Sequence, residues 1–139
     1  MKKYVVLLIT ILAINPSAGQ AESFADIIKF IFEDFSDFAG NNKPFYIIQG
    51  YDEENCIVET KKGDDSVVFY LHNTSIDQIG FGSSQYNQYV FLPATEVVRI
   101  NDSFYTRKYN LSGRGPKFID INTLKSAWER LYLDFCKRG

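Results

Sequence analysis

Apolar residues recur along this chain at two different spacings, and the change of spacing separates helical ends from a β-rich middle. Phe24, Ile27, Ile28, Ile31, Phe32, Phe35 and Phe38 follow one another at helical intervals. Ser23 stands before them as an N-cap, with Asp26 at the third helical position, so an amphipathic helix is expected from there to about Gly40. Its polar face carries Asp26, Lys29, Glu33, Asp34 and Asp37. Helices that lie on membranes favour basic polar faces, so this acidic one is expected to pack on a sheet.

From Phe45 the period becomes that of strands. Aromatic and β-branched runs occupy Phe45 to Tyr51, Cys56 to Thr60 and Ser66 to Leu71, separated by turn formers at Asp52 to Asn55 and around Gly63. Connections this short join antiparallel neighbours. The unbroken run Val67 to Leu71 predicts a central strand covered on both faces. A long polar and glycine-bearing stretch, His72 to Gln85, is expected as a loop. Further strands are predicted at Tyr86 to Leu92, Thr95 to Ile100 and Phe104 to Tyr109, the last two joined by a tight Asn101-Asp102 turn.

Ser112-Gly113-Arg114-Gly115-Pro116 interrupts the β pattern, after which Asp120 or Asn122 can cap a final helix. Leu124, Ala127, Trp128, Leu131, Tyr132 and Phe135 share one face of it, and Lys137 and Arg138 sit where cations suit the helix dipole. The expected fold is α+β: an N-terminal helix, a curved antiparallel sheet of five or six strands, and a C-terminal helix packed on the sheet.

The first residues add a cellular address. Lys2 and Lys3 precede an apolar run from Tyr4 to Ile14, and Gly19 and Ala21 supply the small residues that a signal peptidase requires. Residues 1–21 therefore read as a cleavable signal, and 22–139 as a single α+β domain. The apolar run is too short to span a bilayer, which takes about 20 residues, so no stable membrane insertion is expected after cleavage. The composition looks bacterial, and the expected location is the periplasm or the medium. In such an oxidising compartment the only two cysteines, Cys56 and Cys136, most simply pair with each other.

Loss of Lys2 and Lys3 with the signal leaves 13 basic against 17 acidic residues, a formal charge of −4, which disfavours a nucleic-acid or anionic-membrane partner. His72 is the only histidine, at a strand end, and reads as structural. Asp52-Glu53-Glu54 and Asp64-Asp65 lie in expected turns, where acids are ordinary solvated residues, and they lack the ligand spacing of a calcium loop. The segment around Arg114 could hold an anion through its amides, but it lacks the ending of a phosphate-binding loop. No catalytic residue, cofactor or metal is assigned.

What remains is recognition. Gly80 to Tyr89 mixes glycine, hydroxyl, amide and tyrosine groups as binding surfaces do. Phe81, Tyr86 and Tyr89 from this stretch, the acids Asp52, Glu53 and Glu54, and Arg114 are the candidate partner-binding residues. In size, export and cysteine pair the plan resembles periplasmic immunity proteins against peptidoglycan-attacking toxins, and periplasmic lysozyme inhibitors. The resemblance implies a binding protein that blocks another envelope or extracellular protein. The alternative is a domain that binds glycans or small ligands, or an accessory subunit of a secretion or surface assembly.

Overall fold

The computed structural model describes residues 22–37, 43–115 and 118–137. The expected signal, the helix end near Gly40, Pro116 and Arg138 lie outside these residues. Helix α1 (Phe24–Ile28) begins as its cap predicts, the Ser23 hydroxyl accepting the Asp26 N–H at 3.1 Å. It runs directly into a π-helical turn, Lys29–Asp34. At its end the buried Ser36 hydroxyl donates to the Phe32 carbonyl (2.6 Å) and accepts the Tyr46 N–H (3.1 Å). One small side chain thus ties the helix end to the chain entering the first strand.

Among the described residues eight antiparallel strands follow, in two sheets. Strands β1 (Ile47–Asp52), β2 (Ile57–Lys62) and β3 (Asp65–Tyr70) form consecutive hairpins. The chain then leaves for β4 (Gly80–Ser83) and β5 (Gln88–Leu92) and returns as β6 (Val98–Ile100) and β7 (Ser103–Phe104). It leaves again as β8 (Tyr109–Gly113). The larger sheet has the order β1-β2-β3-β6-β7 and the smaller β4-β5-β8. Helix α2 (Ile121–Leu131), capped by the Asp120 carboxylate on the Asn122 N–H, ends in a second π-helical turn, Tyr132–Cys136.

Phe24 to Phe35 and Leu124 to Tyr132 of the predicted stripes are buried in one core, with Phe135 partly buried against it. Phe32 meets Phe69 of β3 and Trp128 of α2 at ring-centroid distances of 4.6 and 5.8 Å, and Phe69 in turn meets Tyr46 and Tyr109, each at 6.0 Å. Phe69 therefore touches the N-terminal helical segment, the residue leading into β1 and the smaller sheet, and Phe32 links it to α2. Cys56 and Cys136 are bonded, with Cα atoms 5.6 Å apart across 80 residues of sequence, tying the start of β2 to the end of the C-terminal helix.

The α+β class and the order of helix, strands and helix are as expected, while the strands divide between two sheets. Strand β4 lies inside the stretch expected as loop. Its two glycines have low strand propensity, yet they leave room for Phe91 of the neighbouring strand, whose side chain would lie 3.5–3.6 Å from a Cβ at either one. Strand β8 runs through Ser112 and Gly113, where a break was expected. A side chain at Gly113 would collide with the backbone carbonyl of Phe35, so this glycine marks the close approach of strand and helix end. β3 is central, as predicted, with Val67 and Phe69 buried; on its other face Val68 and Tyr70 are half-buried, Tyr70 resting against Phe104 at 5.4 Å.

Candidate functional site

The acidic turn is built on a fixed base. Asp52 closes β1 opposite Ile57, and its carboxylate accepts both the side-chain and the backbone N–H of Asn55, at 2.8 and 3.2 Å. These hydrogen bonds, the side-chain one foremost, hold the Asp52 carboxyl below its usual range, so it stays ionised. Cys56 adopts a left-handed conformation (φ 52°) that non-glycine residues rarely take. It is held there by the disulfide, by its N–H on the Glu53 carbonyl and by its carbonyl accepting the Leu71 N–H at 3.0 Å. Asp52, Glu53, Glu54 and Asn55 are all exposed. The turn therefore projects three carboxylates from a stapled backbone.

The other candidates belong to the small sheet. Tyr86 stands at the tip of the β4–β5 hairpin with 64% of its surface exposed. Tyr89 faces outward on β5, its ring close to parallel with that of Phe91 (20°, centroids 6.0 Å apart). Its hydroxyl is held by Ser84 and Asn87 of the tip, which lowers its pKa. Tyr89 pairs with Ser112 of β8, so Arg114, two residues on, reaches the same end of the sheet as the tip. The backbone N–H of Arg114 donates to the Phe35 carbonyl at 3.0 Å, leaving its side chain exposed. Phe81 alternates to the opposite face and packs against the core.

The candidates therefore do not form one patch. Phe24 packs on Tyr51, beside the acidic turn, at 5.3 Å. Phe35, eleven residues along the same helical segment, holds Arg114. The structure joins Tyr86, Tyr89 and Arg114 at one end and places Asp52, Glu53 and Glu54 at the other.

A feature that the sequence reading missed lies beside the disulfide. An open groove of about 490 Å³ runs between the C-terminal helix and the segment after β3, lined chiefly by Thr74, Ile76, Tyr132, Leu133 and Cys136, with Lys137 at its rim. Leu133 is 69% exposed. Its signal in the sequence was an apolar residue off the predicted stripe of the last helix. The Tyr132 hydroxyl donates to the Leu71 carbonyl at 2.7 Å, and burial raises its pKa. A second hollow of about 400 Å³ continues past Ile76 to Phe81, between Lys125 and Glu129 of α2 and Asp77.

His72 lies in a 3₁₀ turn, Leu71–Asn73. Among the described residues no cluster of three or more His, Cys, Asp or Glu side chains is placed to hold a metal, and no helix is long and apolar enough to cross a membrane. No protein-family model, curated protein or solved structure matches the chain.

Proposed function

We propose that this chain is an exported binding protein that blocks a protein partner in the periplasm or outside the cell, engaging a basic surface with its acidic turn. The observation that carries this reading is the disulfide staple beneath Asp52, Glu53 and Glu54. A loop already fixed in its bound shape loses little conformational entropy on docking. Three clustered carboxylates also accelerate encounter with a cationic partner and raise its specificity. The test is capture from envelope extracts, and from toxins of competing strains, on the immobilised chain and on a Glu53→Lys/Glu54→Lys variant. A protein held by the first and released by the second supports the reading. Repeated capture of nothing, or equal capture by both, defeats it.

A second reading, binding of a small apolar ligand, is favoured by the groove beside Leu133, whose volume falls in the range of ligand sites. It predicts thermal stabilisation by a lipid or hydrophobic fragment that Leu133→Glu abolishes and the acidic-turn variant leaves intact.

A further inference from the structure

The outer face of the small sheet lies apart from both the acidic turn and the groove. Strand pairing aligns two rows across it: Gly80, Phe91 and Asn110, and Gly82, Tyr89 and Ser112. Because the facing β4 positions are glycines, no β4 side chain rises beside the aromatic pair, and the Phe91 ring extends across β4. Tyr89 and Phe91 are both half-buried, near-parallel, and bordered by a hydroxyl and an amide on β8. The face is a shallow aromatic ledge with polar groups along one side.

Its charge is opposite to that of the chain. No charged residue occurs from Gln78 to Thr95, and from Ser103 to Gly115 there are three cations and no acid. Lys108 holds its ammonium 5.6 Å from the Phe91 centroid, and Arg114 reaches the Tyr89 end. The ion pairs among the described residues are Lys29–Asp34 and Glu22–Arg130, so neither of these two cations is neutralised by such a pair. In a chain with an acidic excess, a cationic rim beside half-buried aromatic rings is complementary to a ligand carrying both a flat apolar face and isolated anionic groups.

We propose that this face binds an acidic saccharide, sugar rings resting on Tyr89 and Phe91, a carboxylate directed to Lys108, and ring hydroxyls meeting Ser112 and Asn110. A pyranose offers a C–H face to the ledge and hydroxyls to its polar side. Nucleic-acid bases also stack on aromatic side chains, but a strand with a charge at every nucleotide is repelled by the overall negative charge. The site is separate from the acidic turn, so either assignment can fail without the other.

The test is calorimetric titration of the chain with a hyaluronate tetrasaccharide, which carries a carboxylate on alternate sugars. Chitotetraose serves as the neutral control and an eight-residue oligothymidylate as the polyanion. The uronate is expected to bind about tenfold more tightly than the neutral sugar, with Lys108→Glu, an exposed and structurally undemanding change, erasing that preference. Tyr89→Ala is expected to weaken both sugars by about tenfold. The Glu53→Lys/Glu54→Lys variant is expected to bind them as the parent does. No binding of the uronate at millimolar concentration, parental binding by both site variants, or tighter binding of the oligothymidylate overturns the proposal.

Discussion

The hydroxyls of Tyr46 and Tyr109 lie 2.6 Å apart inside the protein, 63 residues apart in sequence. Tyr46 leads into the first strand of the larger sheet and Tyr109 opens the last strand of the smaller one, so this hydrogen bond ties the two sheets together. Tyr109→Phe removes one hydroxyl and leaves the other buried without its partner. The expected loss is about 1–2 kcal/mol of stability, read as a lower urea midpoint with an unchanged slope.

Burial foremost raises the pKa of Tyr46, Tyr109 and Tyr132, since a phenolate would be desolvated there. The unfolded chain releases these protons near pH 10 and the folded chain holds them to higher pH, so the unfolded state binds fewer protons above pH 10 and stability falls as pH rises. Below pH 10 the contribution is fully present. Stability is expected to be insensitive to these groups from pH 7 to 9. Between pH 10 and 12 it falls by about 1.4 kcal/mol per pH unit for each of Tyr46 and Tyr132. Denaturant titrations across this range check it, and Tyr132→Phe should make the fall less steep.

Removing the disulfide frees a connection spanning 80 residues and releases the backbone of the acidic turn. Reduction, or Cys56→Ala with Cys136→Ala, is expected to cost about 2–5 kcal/mol. The melting temperature with and without reductant measures this. An unchanged melting temperature would contradict the structural role of the bridge.

Gly113 is irreplaceable for a different reason, because any side chain there meets the Phe35 carbonyl, and that same carbonyl accepts the N–H groups of Arg114 and Gly115. Gly113→Ala should force strand and helix apart and cost about 3 kcal/mol. Gly63→Ala provides the contrast: a Cβ there has open space, though its positive φ still disfavours alanine, so a smaller loss of about 1 kcal/mol is expected.

The helices were legible because Ser23 and Asp120 are caps of the expected kind and Phe24 to Phe35 and Leu124 to Tyr132 keep helical spacing through to the core. The bridge was legible from the cysteine count and the oxidising compartment that the first residues suggest. Strand β4 was hidden because Gly80 and Gly82 are strand breakers by propensity, and what admits them is a ring on the neighbouring strand that local pattern cannot see. The division into two sheets was hidden for a similar reason. The sequence predicts one strand from Phe104 to Tyr109, yet β7 stops at Phe104, and the last link to β6 is the Tyr105 N–H on the Val98 carbonyl (2.7 Å) before the chain crosses to the small sheet. Composition nominated the acidic turn and the tyrosines as candidate binding residues. Their separation to opposite ends of α1 and its π-helical turn depends on tertiary packing, as does the groove at Leu133.

The central claim is that the stapled acidic turn recognises a basic protein partner. The direct measurement is the affinity of the captured partner for the parent chain and for Glu53→Lys/Glu54→Lys at about 50 and 300 mM salt, a range over which screening strengthens markedly. The predicted result is parental affinity that weakens with salt and falls more than about tenfold in the variant at low salt. Affinity that is equal in the two proteins and indifferent to salt would contradict it.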